Sequence, residues 1–513
     1  MAVFSVIFFS VLILHASFAQ IISASSGGLS IKTEQGLVSG TSISRGVRQF
    51  LGVPFASAER WEAPSKPSRY SSFRATAFSD SCVQAISPAN AIFSQLLGGG
   101  GVNVSESEDC LSVNIWAPSL DRKQKTAVLL WVYGGDFQLG TSNNPVYIGQ
   151  NFVRDNDDIT IVTFNYRTNI FGQPNAPQLV KNGVSQNFGM LDLDAAVQWV
   201  HDNIAAFGGD PDRISLFGQS AGSSAVDAYT FAHPHDTIIK GTSSGTFGGA
   251  RIRMSLINTG TSLNETAWNV VTSSVGCGKT SDASQLACMK RVSFESLKNA
   301  VVSTGASFNL VPDNITIFSD TPARALTGNF LKVPLLGGTN LNEADLLVLA
   351  TELSTTGMAL PFITEVTSDL ETQARNTAQN RLNAGVATWR YQYQAVFPDI
   401  SSRPDLRAFH ASEIPLVFGT YNSSTLAPPT MTEIALSRYI QAAWVAFARN
   451  PSKGLLEFGW PIYNRNTSSL VQLGNAANAT GMVLTEGRFV DATCASAQQL
   501  LGIAGQLSSL VSL

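Results

Sequence analysis

Apolar residues along this chain follow two alternating patterns. Short apolar runs bounded by turn residues occur at Gln49–Val53, Ser112–Trp116, Ala127–Tyr133, Ile159–Asn165, Ile214–Phe217, Val333–Leu336 and Thr388–Tyr393. Runs of this length and composition predict strands buried on both faces. Between them, over Leu191–Ala206 and Glu433–Ala448, apolar residues return every three or four positions, which predicts helices with one buried face. Strands alternating with helices imply an α/β fold whose large, mostly parallel central sheet is flanked by helices on both sides. No repeat, Pro/Ser-rich linker or charge block divides the chain, and Gly98–Gly101 is its one low-complexity patch.

The N-terminus breaks the pattern. Val3–Leu14 is an apolar run of signal-peptide length, and Ser17-Phe18-Ala19 puts small residues at the usual cleavage positions. Residues 1–19 are therefore expected to direct export, leaving residues 20–513 as a single secreted, extracellular domain. No later segment is long and apolar enough to predict stable membrane insertion. Six Asn-x-Ser/Thr sequons, at Asn103, Asn264, Asn314, Asn422, Asn466 and Asn478, are candidate glycosylation sites on a secretory route. Five cysteines fall as Cys82 and Cys110, Cys277 and Cys288, and then Cys494, which suits two local disulfides in an oxidising compartment. With 44% hydrophobic and 14% charged residues the chain has material for a large core. Its net charge of −4, with Lys and Arg scattered, offers no basic face for nucleic acid.

The sharpest chemical signal is Gly218-Gln219-Ser220-Ala221-Gly222. It follows the predicted strand Ile214–Phe217 and precedes a predicted helix, Ala221–Phe231. Two glycines let the backbone pass through a tight strand-to-helix turn that exposes the Ser220 hydroxyl, a candidate nucleophile. Serine needs a base to take its proton, and histidine is the usual one. Of five histidines, His15 leaves with the signal, and His201 precedes Ser220, out of the expected Ser, acid, His order. His233 and His235 flank Pro234 in a predicted surface turn. His410, in a downstream loop, remains the candidate base. A carboxylate should orient the imidazole. Glu343, after Val333–Leu336 and the turn Gly337-Gly338-Thr339-Asn340, is placed for this; Asp345 competes, and Glu343 could equally open a helix Glu343–Ala350. Spacing leaves the choice open. The glycine-rich stretch Val132–Phe137 after a buried strand suits an oxyanion-binding loop, with the Ala221 N–H as a further donor.

These residues make the chain resemble the type-B carboxylesterase/lipase family, which includes the cholinesterases and several secreted fungal esterases and lipases. The resemblance begins at Phe50-Leu51-Gly52-Val53-Pro54-Phe55-Ala56. It continues through Glu108–Trp116 and Asn165-Tyr166-Arg167, is densest from Asn187 to Gly222, and recovers at Gly338-Thr339-Asn340, Glu343 and His410–Gly419. It implies an α/β-hydrolase fold with Ser220 as nucleophile, Glu343 as acid and His410 as base. It also implies oxyanion donors at Gly135, Asp136 and Ala221, and disulfides Cys82–Cys110 and Cys277–Cys288, with Cys494 unpaired. The expected activity is hydrolysis of small-molecule or lipid esters without metal or cofactor: short- to medium-chain or aromatic esters, such as feruloyl esters, in the first place, and long-chain acylglycerols or sterol esters as the rival. A non-catalytic adhesion protein is the alternative from another class.

Three departures from the family pattern stand out. Asp136 occupies the place of a usual third glycine. An anion about 5 Å from a developing oxyanion would oppose it by about 3 kcal/mol at an effective dielectric near 20. Its carboxylate is therefore expected to turn away and find a hydrogen-bonding partner. Gln219 replaces the usual Glu before the nucleophile, and no Trp lies between Cys82 and Cys110, so cationic choline esters are not expected substrates. The disulfide loop containing Ala91–Leu97 is a candidate short lid.

Overall fold

The computed structural model describes residues 28–492 apart from 45, 87–90, 92–103, 181–182, 248–265, 279–281, 346–359, 402, 404 and 424–425. The expected export signal, Cys494, Asn103, Asn264 and all of the lid candidate but Ala91 lie outside the described residues.

Eleven strands form the central sheet: β1 (Thr41–Ser44), β2 (Val47–Pro54), β3 (Ser112–Pro118), β4 (Thr126–Val132), β5 (Ile159–Phe164), β6 (Gly209–Ser220), β7 (Ile239–Phe247), β8 (Leu335–Asn340), β9 (Thr388–Tyr393), β10 (Ser468–Asn475) and β11 (Asn478–Glu486). Their spatial order is β11-β10-β9-β8-β7-β6-β4-β5-β3-β2-β1. From β5 across to β10 every pairing is parallel, while the two margins are antiparallel. Every residue of β4 and β5 is buried, as their unbroken apolar runs require when both sheet faces are covered.

The covering helices are α1 (Phe188–Phe207), α2 (Ala221–Ala232), α3 (Leu360–Asn383), α4 (Ile414–Phe418) and α5 (Met431–Arg449). Successive residues of β6 show which face each takes, because a strand alternates sides. Gly218 lies against Gly222 of α2, whereas the Phe217 ring stacks on Phe418 of α4 with centroids 5.7 Å apart. The core thus divides between α1 and α2 on one side and α4 and α5 on the other. Helix α5 opens with a capping box, in which Thr430 and Glu433 satisfy each other's backbone N–H groups. Disulfides join Cys82 to Cys110 and Cys277 to Cys288, with Cα–Cα separations of 5.0 and 5.6 Å.

Several elements depart from their expected bounds. The strand expected at Val333–Leu336 is displaced to Leu335–Asn340 and takes in the four residues read as a turn. Backbone pairing on both sides holds it there, and Gly338 is demanded by the Tyr391 ring, which a Cβ would meet at 2.4 Å. Strand β7, Ile-Lys-Gly-Thr-Ser-Ser-Gly-Thr-Phe, is too polar to have carried an apolar signal. The hairpin β10–β11 and helix α3 likewise went unanticipated.

Candidate active site

Parallel register brings the carboxyl ends of β4, β6, β7, β8 and β9 to one edge of the sheet, and the site lies along it. Strand β6 ends at Ser220 and α2 begins at Ala221, with no residue between. Ser220 takes up the whole turn, at φ 56° and ψ −127°. A non-glycine residue held there costs on the order of 1–3 kcal/mol. The flanking glycines are required by contact: a Cβ on Gly222 would lie 2.0 Å from the Val132 carbonyl oxygen, and one on Gly218 would lie 2.6 Å from the Gly222 carbonyl. Val132 of β4 pairs with Gly218, so the chain after β4 runs beside the turn, and a Cβ on Gly134 would approach that of Ser220 to 2.9 Å.

Glu343 follows β8 and is completely enclosed. One carboxylate oxygen accepts the Asn340 N–H at 2.6 Å and the other accepts His410 Nδ1–H at 2.8 Å. Asp345, the competing acid, is committed elsewhere, to a forked pair with Arg407 at 2.9 and 2.7 Å. Burial acts to lower the His410 pKa, but the Glu343 hydrogen bond and charge outweigh it and leave the group above its ordinary value. The imidazole's other nitrogen, Nε2, lies 3.1 Å from the side-chain amide of Gln219. Among the described residues Ser220 Oγ makes no hydrogen bond to His410, although the two are joined through Ser220's chain neighbour. The remaining described histidines serve elsewhere: His201 meets Asp202 on the surface, His233 pairs with Asp194 at 2.8 Å, and His235 is exposed.

Two residues that the sequence did not single out complete the cluster. Asn340 donates its side-chain amide to Glu413 and to the Phe409 carbonyl, both at 2.6 Å, and so ties the Glu343 turn to the His410 loop. Glu413 is wholly enclosed; burial, then the charge of Glu343, push its carboxyl up to about 7. Its spacing of three from His410 was the available signal.

The loop after β4 carries left-handed backbone at Gly135, Asp136 and Phe137, with φ 117°, 56° and 57°. Outside contacts hold it: Asn169 N–H donates to the Phe137 carbonyl at 2.6 Å, as does Gln173 at 2.7 Å. Gln138 accepts the Phe308 N–H at 3.1 Å. Among the described residues the Gly135 and Asp136 N–H groups donate to nothing, and Ala221 N–H, as the first of a helix, has no intrahelical acceptor. The partner expected for the Asp136 carboxylate is absent among the described residues. Although the residue keeps a partly exposed edge, the surrounding protein desolvates its carboxyl and pushes it up to about 7. A group that is half neutral near neutrality has less need of a partner.

Asn314, Asn422, Asn466 and Asn478 are all exposed. Among the described residues no group of three or more His, Cys, Asp or Glu could hold a metal ion, and no helix is long and apolar enough to cross a membrane.

Comparison with known proteins bears on this geometry. The model of the carboxylesterase family matches residues 28–360 and 356–489. Secreted lipase 5 of Gibberella zeae is 35% identical over 421 residues, 76% of this chain and 77% of that protein. The chlorogenic acid esterase of Aspergillus niger is 33% identical over 486 residues, 89% of this chain and 92% of its own. Among solved structures, a PNB esterase superposes with a TM-score of 0.71 at 26% identity, covering 89% of this chain and 97% of that one. A thermophilic PNB esterase reaches 0.72 at 25% identity, covering 91% of this chain and all of the other.

Proposed function

From the premise that the chain belongs to the carboxylesterase family and is a carboxylic ester hydrolase of the α/β-hydrolase fold, we propose that Ser220, His410 and Glu343 form its catalytic triad. The observation that carries this reading is the 2.8 Å bond from His410 Nδ1 to a fully enclosed Glu343, beside a serine held in strained backbone. With Nδ1 protonated toward Glu343, Nε2 is the basic nitrogen. It takes the Ser220 proton as Oγ bonds to the ester carbonyl carbon, and returns that proton to the leaving alcohol as the C–O bond breaks. Water, deprotonated by the same nitrogen, then releases the acid and restores Ser220. The N–H groups of Gly135, Asp136 and Ala221 are the proposed oxyanion donors; each such donor contributes about a hundred- to a thousandfold in turnover.

The substrates in this reading are short- to medium-chain or aromatic esters. A relative named for chlorogenic acid, aligned over 89% of this chain, supports it. The relative named a lipase favours a second reading, long-chain acylglycerols. We further read residues 20–513 as one domain secreted after loss of residues 1–19; two disulfides, four exposed sequons and a relative named as secreted support this. Hydrolysis of p-nitrophenyl esters from acetate to palmitate, with methyl ferulate alongside, tests both parts. Ser220→Ala is expected to lose about 10⁶-fold in kcat. Equal rates for wild type and variant would remove Ser220 from the mechanism, and a maximum at palmitate would favour the lipase reading.

A further inference from the structure

The nitrogen of the proposed base that must accept a proton already faces a hydrogen-bond donor. Nδ1 of His410 carries a proton toward Glu343, so Nε2 presents a lone pair. The atom facing that lone pair at 3.1 Å is the side-chain nitrogen of Gln219. Only the NH₂ end of the amide can make this contact with neutral imidazole, because the carbonyl end would set one lone pair against another. Gln219 is nearly inaccessible, at 3% exposure, and its oxygen packs beside Gly134, where a Cβ would come within 3.1 Å. Its backbone pairs with Gly245 on β7, so the side chain springs from a point fixed in the sheet.

Resting on the triad reading, we infer that Gln219 is a positioning residue that caps the Nε2 lone pair in the resting enzyme, keeps the imidazole neutral, and yields its place to the Ser220 hydroxyl when an ester enters. Two carboxylates act on His410 electrostatically, Glu343 from the turn after β8 and Glu413 from its own loop, and both favour the imidazolium. Gln219, from β6, is the neutral neighbour that opposes them, since a donor aimed at a lone pair stabilises only the unprotonated ring. A glutamate in its place could not donate and would add a third negative charge.

Three readouts separate this role from a structural one. In wild-type protein, the ¹⁵N resonance of His410 Nε2 at pH 8 is expected to show an accepted hydrogen bond that Gln219→Met abolishes. The acid limb of kcat/KM is expected to move to higher pH in Gln219→Met, and by about one pH unit in Gln219→Glu. Phosphonylation of Ser220 by a neutral phosphonate at pH 8 is expected to quicken about fivefold in Gln219→Met, the factor corresponding to one ordinary hydrogen bond no longer displaced. A free lone pair in the wild-type spectrum, or a Gln219→Met profile and phosphonylation rate that superimpose on wild type, overturns the inference. The spectrum needs no catalysis, so a failure of the triad reading, seen as an active Ser220→Ala, is distinguishable from a failure of this one.

Discussion

Strands β8 and β9 carry a buried polar cluster on each face, and the two are built to opposite rules. On one face Arg390 donates to Glu371 at 2.7 Å, to Asp491 at 2.8 Å and to Tyr463 at 3.0 Å. Thr339 and Gln392 supply further bonds to Glu371, and Arg465 adds a second positive charge on Asp491. Two cations face two carboxylates. On the other face, one residue along each strand, Asn340 and Tyr391 adjoin Glu413, Glu343 and His410. There two carboxylates act on one imidazole, and among the described residues the Tyr391 hydroxyl and the Asn340 side-chain oxygen have no partner. The balanced cluster fastens α3 to the sheet, whereas the unbalanced one leaves groups whose protonation can change near neutral pH. Burial alone does not distinguish structure from chemistry; the balance of charge does.

Substitutions in the two clusters should therefore fail differently. The largest effect is expected from Glu343→Gln, which retains an acceptor for the Asn340 N–H but removes the charge behind His410. It should lower kcat by about 10⁴-fold with little change in melting temperature, as steady-state rates and calorimetry on one preparation would show. Arg390→Met should do the reverse. It leaves Glu371 and Asp491 facing each other without their shared cation, costing about 3–5 kcal/mol in urea unfolding, while active-site titration returns a near wild-type kcat per folded molecule. A catalytic loss without a stability loss at Arg390 would erase the contrast.

Glu413 sharpens the comparison through pH. Its carboxyl titrates at 4.5 when unperturbed and at about 7 here. Between those values the folded protein keeps a proton that the unfolded chain releases, so its stabilising contribution is complete below 4.5 and is lost as pH rises through 7. At ~1.4 kcal/mol per pH unit the loss over that interval comes to about 3–4 kcal/mol. Glu413→Gln is accordingly expected to be the more stable protein in urea at pH 8 and to match wild type at pH 4.5. The smallest effect belongs to Asp345→Asn, which weakens a pair whose Arg407 partner is largely exposed. It should cost about 1 kcal/mol or less and change kcat by under threefold, and a loss comparable to that of Glu343→Gln would reassign the acid.

The apolar runs of β2 to β5 and β9, the periodicity of α1 and α5, and the Gly218–Gly222 turn were legible because each is a local pattern. An unbroken buried run, a 3.6-residue repeat and two glycines around a serine each require only their own neighbours in sequence. Even the resemblance to one family rested on contiguous motifs. What stayed hidden depended on partners distant in the chain. Spacing could not choose between Glu343 and Asp345, since both follow β8 within reach of the edge, and only the family resemblance implied Glu343; the fold separates them by giving Arg407 to Asp345 and His410 to Glu343. Strand β7 carries almost no apolar signal and is a strand because β6 and β8 pair with it on both sides. The sequence by itself determined the fold class, the strained serine and the roster of candidate groups. Tertiary structure alone decided that Gln219 meets the second nitrogen of the imidazole and that the Asp136 carboxylate finds no partner among the described residues, because hydrogen bonds and desolvation are properties of groups brought together in space.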